Sequence, residues 1–213
     1  MEVIKHIFDF VLHIDKHLVD IVSEYRGWTY LILFVIVFCE TGLVVTPFLP
    51  GDSLLFAAGS IAALEGSELQ LFALAATFFL AAFLGDNTNY FIGNFIGPKV
   101  FEQKYRLLNK KHLDQTHEFY ARHGGKTVII ARFIPIIRTF APFVAGVGSM
   151  TYVRFILFSM CGSLLWISLF LSSGYFFGQI ELVKRNFSVV TLAIILISVL
   201  PVIIGLVRNR MQN

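Results

Sequence analysis

The chain has 213 residues and a mass of 24.0 kDa, with 56% hydrophobic and 15% charged residues, a formal net charge of +3 and a mean hydropathy of +0.74. Average globular domains carry about 25% charged residues, so this composition excludes a disordered chain and an ordinary soluble enzyme, and two cysteines exclude a disulfide scaffold. An all-α polytopic membrane protein remains.

Residues 1–27 lack the basic n-region, apolar run and small-residue cleavage site of a signal peptide. A helical wheel puts Ile4, Ile7, Phe8, Val11, Leu12, Leu18 and Val22 on one side. His6, Asp9, His13, His17, Asp20 and Glu24 fall on the other, with Asp15 as a misfit. This predicts an amphipathic helix lying in the membrane interface. Its histidines are compatible with pH sensing or metal binding, although a solvated polar face accounts for them.

A single membrane domain is expected over 28–213. Trp28–Cys39 runs apolar into Glu40, and Ser53–Leu64 is apolar but too short to cross alone. Leu69–Pro98 is a candidate crossing, interrupted at Asp86, Asn87, Thr88 and Asn89. Thr139–Val153 is again short, and Pro135 and Pro142 are expected to break the structure around it. Phe155–Ile180 and Asn186–Val207 lack any charge. Each is long enough to cross a bilayer, which takes roughly 20 residues.

Lys99–Lys126 holds seven Lys/Arg against three acids and is expected to be cytoplasmic, as is the C-terminus with Arg208 and Arg210. The topology then closes only if Thr127–Val153 enters and leaves on the cytoplasmic side, with Arg154 at its exit. A second re-entrant hairpin, at about 47–64, enters from outside. Pro47, Pro50 and Gly51 shape the first hairpin, and Pro135, Pro142 and Gly146 the second. An internal echo supports this pairing. Phe48-Leu49-Pro50 recurs as Phe133-Ile134-Pro135 and Tyr90-Phe91-Ile92-Gly93 as Tyr175-Phe176-Phe177-Gly178, both offset by 85 residues. Ala58-Gly59 and Ala145-Gly146 follow two residues out of register. Hairpins opening to opposite sides would make an inverted repeat, a transporter architecture with its site at the midplane.

Chemistry is expected where charge is expensive. Glu40, Asp52, Arg132 and Arg138 fall in apolar stretches beside Pro or Gly. Unpaired, the four would cost about 10–14 kcal/mol at helix centres, so they pair, line water or bind a ligand. Two structural salt bridges are one reading. In the other, Arg132 and Arg138 hold an anion, since guanidinium matches phosphate, while Glu40 and Asp52 take up and release protons.

These same residues carry a resemblance. Glu40-Thr41-Gly42, the run Pro47-Phe48-Leu49-Pro50-Gly51-Asp52-Ser53, Ala131-Arg132-Phe133-Ile134-Pro135-Ile136-Ile137-Arg138-Thr139, Ala141-Pro142-Phe143-Val144-Ala145-Gly146 and His123-Gly124-Gly125-Lys126 are similar to the motifs of the DedA family. The resemblance implies a bacterial inner-membrane protein with two opposed re-entrant hairpins, related to eukaryotic lipid scramblases of autophagy. It implies proton-motive-force-dependent transport and recycling of undecaprenyl phosphate. It places the family's essential acidic and arginine positions on Glu40, Asp52, Arg132 and Arg138.

The leading expectation is a proton-coupled lipid-phosphate translocase, its partners being undecaprenyl phosphate or a phospholipid, the membrane and protons. A proton-coupled antiporter of small ions or osmolytes is the alternative. An enzyme is disfavoured because Ser-Gly-His, Asp-Gly-x-x-Ala-Arg, His-Glu-x-x-His and P-loop patterns are missing; a purely structural role leaves four stranded charges unexplained. No metal, cofactor or nucleic acid is expected. Asp86 with Asn87 and Asn89 either lines the path or forms a buried hydrogen-bonded belt. Gly93-x-x-x-Gly97 and Gly174-x-x-x-Gly178 permit close helix approach, within one subunit or at a homodimer seam. Cys39 and Cys161 read as small hydrophobes, and His112, His117 and His123 lack metal-ligand spacing.

Overall fold

The computed structural model describes residues 18, 22, 24–25, 27–42, 51–101, 124–148, 150–187, 189–190 and 192–194. The expectations for 1–17, for Pro47 and Pro50, for 102–123 and for the crossing beyond Ile194 lie outside these residues. Regular structure among the described residues is all helical. In chain order it comprises α1 (Trp28–Gly42), α2 (Gly51–Ala62), α3 (Leu71–Phe101), α4 (Lys126–Ala131), α5 (Pro135–Val147), α6 (Tyr152–Phe177) and α7 (Glu181–Arg185). Leu18 and Val22 are buried and Glu24 is exposed.

Within α3, Leu71–Phe95 is long and apolar enough to cross a bilayer, as is the whole of α6. Both helices turn large apolar side chains outward. Phe72, Leu80, Leu84, Phe91 and Phe95 on α3 are exposed, and so are Val153, Leu157, Leu164, Leu165, Leu169 and Phe176 on α6. Faces of this kind are a liability in water and are what hydrocarbon requires of a spanning helix, whose backbone bonds are satisfied internally.

α3 runs through the polar turn at Asp86–Asn89, where Asn87 and Thr88 turn their side chains back onto the Phe83 and Leu84 carbonyls at 2.6 and 2.8 Å. One expectation is corrected. Pro142 does not break α5 but lies inside it; apolar membrane helices tolerate proline where neighbours re-satisfy the freed backbone groups. Pro135 does act as a boundary: it opens α5, preceded by Ile134 at φ −117° and ψ 107°, the extended conformation a following proline imposes. α1 continues past Glu40 to Gly42, so a carboxylate sits within a helix.

The chain divides into two compact units. One contains the described residues of Met1–Ile36, Leu49–Phe79 and Trp166–Asn213; the other those of Val37–Phe48 and Leu80–Leu165. In the first unit α2 is almost wholly buried and lies backbone-to-backbone on α6. A Cβ on Gly59 would strike the Leu171 carbonyl and the Tyr175 amide nitrogen, one on Gly174 the Phe56 carbonyl, and one on Gly178 the Ser60 side chain. The Gln179 amide donates to the Ser60 carbonyl at 2.6 Å, and Phe56 packs on Phe187 with centroids 5.7 Å apart.

In the second unit α5 lies on α3 by the same device. A Cβ on Gly146 would strike the Tyr90 carbonyl and the Asn94 amide nitrogen, and one on Gly93 the Phe143 carbonyl. Tyr90, Val128, Ala145, Met150 and Phe155 form the core beside this contact. Tyr90 stacks on Phe155 with centroids 4.5 Å apart and donates its hydroxyl to the Met150 carbonyl at 2.5 Å. The contacts equate Gly59 with Gly146, Phe56 with Phe143 and Gly174 with Gly93. The 85-residue echo, which aligns Gly93 with Gly178, therefore runs in a different register from the packing.

Candidate functional site: a buried charge cluster in the second unit

Three helices bring charge into the interior of the second unit. Near the C-terminal end of α1, Gly42 approaches Gly85 of α3, a Cβ there coming within 3.1 Å of the Gly85 Cα. This approach sets the polar turn of α3 against the end of α1. Glu40 is fully buried, and its Oε1 pairs with the Arg138 guanidinium from the first turns of α5. Arg138 is 7% exposed. A carboxylate and a guanidinium this far from water cost several kcal/mol each to desolvate and persist only when paired.

The second pair joins Arg132, in the turn between α4 and α5, to Asp86 of α3. Asp86 is 1% exposed, and the same Oδ2 that pairs with Arg132 accepts the Ser159 hydroxyl of α6 at 2.5 Å. Gly162, one turn along α6, faces the end of α4: a Cβ there would lie 3.3 Å from the Ile129 Cα and 3.5 Å from the Arg132 Cδ.

Asn89 ties the pairs together. Its amide nitrogen donates to the Thr41 carbonyl at 3.2 Å and the Thr139 carbonyl at 2.5 Å, next in sequence to Glu40 and Arg138. It lies three residues after Asp86, the spacing of side-chain neighbours on one helix face. Asn87 accepts the Tyr152 hydroxyl at 2.7 Å, which pins α3 to the start of α6.

Asp52 belongs to the first unit. It sits in the first turn of α2, where a carboxylate complements the helix dipole, is 6% exposed, and accepts the Trp166 indole N–H at 2.8 Å.

The sequence placed Glu40 and Arg138 in one site, and the structure joins them directly. It also makes Asp86, a weaker sequence candidate, the carboxylate on Arg132, and realises the hydrogen-bonded belt rather than an open polar path at Asp86–Asn89. Gly51 opens α2, while Pro142 and Gly146 are buried in α5. Gly93, Gly174 and Gly178 serve packing within this chain. Trp166, Ser159 and the bridging role of Asn89 were missed. A tryptophan in an apolar crossing must find an acceptor for its N–H, and that was the available signal for Trp166. Serines in such helices usually bond their own backbone, as Ser163 does to the Ser159 carbonyl at 2.8 Å, so Ser159 had none. Among the described residues, no group of three or more His, Cys, Asp or Glu side chains is placed to hold a metal.

Residues 49–176 match the family model of the VTT domain. The chain is 50% identical over 211 residues to the DedA protein of Escherichia coli K12, covering 99% of this chain and 96% of the relative. It is 41% identical over 177 residues to the membrane protein Rv0364 of Mycobacterium tuberculosis H37Rv, covering 83% and 78%. It is 32% identical over 181 residues to the inner membrane protein YqjA of Escherichia coli K12, covering 84% and 81%. No solved structure matches. The lipid-suited outer faces of α3 and α6, the charge scarcity and these relatives agree: the chain is a membrane protein of the DedA family, built on a VTT domain.

Proposed function

We propose that the protein is a proton-linked lipid-phosphate translocase of the bacterial inner membrane, with undecaprenyl phosphate as the first substrate to test. The observation that carries this reading is the buried Glu40–Arg138 pair, set among apolar helices beside a second guanidinium–carboxylate pair. A buried guanidinium accepts a phosphate in place of a carboxylate with the same fork geometry. Protonation of Glu40 lets the carboxyl leave as a neutral acid while Arg138 takes the phosphate. No charge is then stranded at any stage, which an apolar interior demands. The polyprenyl or acyl tail stays in the surrounding lipid. Asp52, on the Trp166 indole, is a proton-accepting group that resets the cycle.

In this reading the segments at about 47–64 and 127–153 are re-entrant hairpins entering from opposite leaflets, which makes them an inverted repeat. The matched glycine contacts of α2 on α6 and α5 on α3 support the repeat. The loop at 99–126 and the C-terminus are cytoplasmic, in keeping with their basic residues.

Proteoliposomes loaded with labelled undecaprenyl phosphate test the reading. Leaflet transfer is expected with the unaltered protein and is lost in Arg138→Ala; Arg138→Lys, which lacks the planar fork, recovers little of it. Unchanged transfer in Arg138→Ala overturns the anion clamp. Proton flux driven by an ion gradient with no lipid phosphate present favours the antiporter instead.

A further inference from the structure

The Arg132–Asp86 pair has the same components as Arg138–Glu40: a buried guanidinium, a buried carboxylate on a neighbouring helix and apolar surroundings. We propose that Asp86 is a second exchangeable counter-anion, protonated and displaced from Arg132 as a phosphate group binds, so that binding takes up one proton at Asp86 in addition to that at Glu40. This rests on the lipid-phosphate reading above.

Three observations support it. First, one turn of α3 reaches the Arg132 guanidinium and the backbone beside the other pair. Asp86 holds Arg132, and Asn89 holds the carbonyls adjacent to Glu40 and Arg138. Second, charge must balance. A phosphomonoester carries about −1.5 to −2 at pH 7. One released guanidinium would leave close to one negative charge uncompensated, whereas two released guanidinium groups match it. Third, Asp86 keeps a partner after displacement. Among the described residues, the groups facing its carboxyl are the Arg132 guanidinium from the α4–α5 turn and the Ser159 hydroxyl from α6. A serine hydroxyl both donates and accepts, so Ser159 serves the carboxylate and the carboxylic acid alike. The proton balance is simple: each carboxylate gains one proton, each guanidinium exchanges a carboxylate oxygen for a phosphate oxygen, and no covalent bond is made or broken.

The test is proton uptake on binding of monododecyl phosphate to the full-length protein in phosphatidylcholine nanodiscs. Calorimetry at pH 8, where the phosphate is already a dianion, in two buffers of different ionisation heat counts the protons. The unaltered protein is expected to take up one proton more per bound phosphate than Asp86→Asn. Because Asp86→Asn leaves Arg132 buried without its carboxylate, the double variant Asp86→Asn/Arg132→Gln, which strands neither charge, provides a second readout: with one guanidinium left, its affinity for the phosphate is expected to fall about tenfold or more. Equal proton uptake in the unaltered protein and folded Asp86→Asn, or unchanged affinity in the folded double variant, overturns the role of the Asp86–Arg132 pair while leaving the translocase reading intact. No saturable binding of dodecyl phosphate by the unaltered protein overturns the lipid-phosphate reading and this inference with it.

Discussion

The two units use one packing device for two different interiors. In each, a short helix lies backbone-to-backbone on one half of a long helix, with glycine on both sides of the contact: Gly59 and Gly174 in the first, Gly146 and Gly93 in the second. What they enclose differs. The second unit holds two acids against two guanidinium groups, and in the first Asp52 accepts the indole N–H of Trp166. Shared packing therefore does not prescribe shared chemistry. Glycine contacts set how closely the backbones approach, and side chains elsewhere on the same helices decide whether the space beside them stores charge.

The contrast can be broken most forcefully at Glu40. Removing one member of a buried ion pair costs about 3–5 kcal/mol, so Glu40→Gln and Arg138→Gln should each lose about that much in detergent-denaturation titrations. The double variant Glu40→Gln/Arg138→Gln should recover most of it. In the first unit the sharper loss should come from the donor: Trp166→Phe removes a hydrogen bond to a charged group, worth about 1.5–3 kcal/mol. Asp52→Asn keeps an oxygen for the indole and should cost less than Glu40→Gln in the same titration. If the two acid-to-amide changes cost the same, the units do not differ in the way described.

Next in size are the glycines. Overpacking a close contact costs about 1–3 kcal/mol, so Gly59→Ala and Gly146→Ala should each lower the unfolding midpoint by similar amounts. A large inequality would show that one of the two contacts is the softer. The smallest effect is expected at Arg185, whose i,i+4 pair with Glu181 lies in the open, with side chains 76% and 74% exposed. Arg185→Ala should change stability by about 0.3–0.5 kcal/mol at low salt, and the difference should vanish as salt is raised.

Much of the architecture was legible before any coordinates. Long uncharged segments announce crossings because lipid admits few alternatives to an apolar helix, and α3 and α6 fall where those segments predict. Glu40 and Arg138 were legible as a site because a charge in such a segment needs a reason to be there. The Asp86 pairing was not. A charge within one crossing shows that a partner is needed, not which helix supplies it. The glycine contacts follow the Ala58-Gly59 and Ala145-Gly146 offset rather than the 85-residue echo. Tyr-Phe-x-Gly similarity reports composition along one helix, whereas the contact that matters is made by whichever glycine faces a partner backbone.

By itself the sequence determined the medium, the family and four of the costly charges, because transfer energies depend on residue type and run length alone. Only the tertiary structure decided which carboxylate meets which guanidinium, that Trp166 holds Asp52, and that Asn89 bridges the backbone beside Glu40 and Arg138. Such pairings depend on helix rotation and depth. Those are set by where glycine lets two backbones touch, as at Gly42 with Gly85 and at Gly146 with Tyr90, and a charge pattern read along one strand of sequence does not contain them.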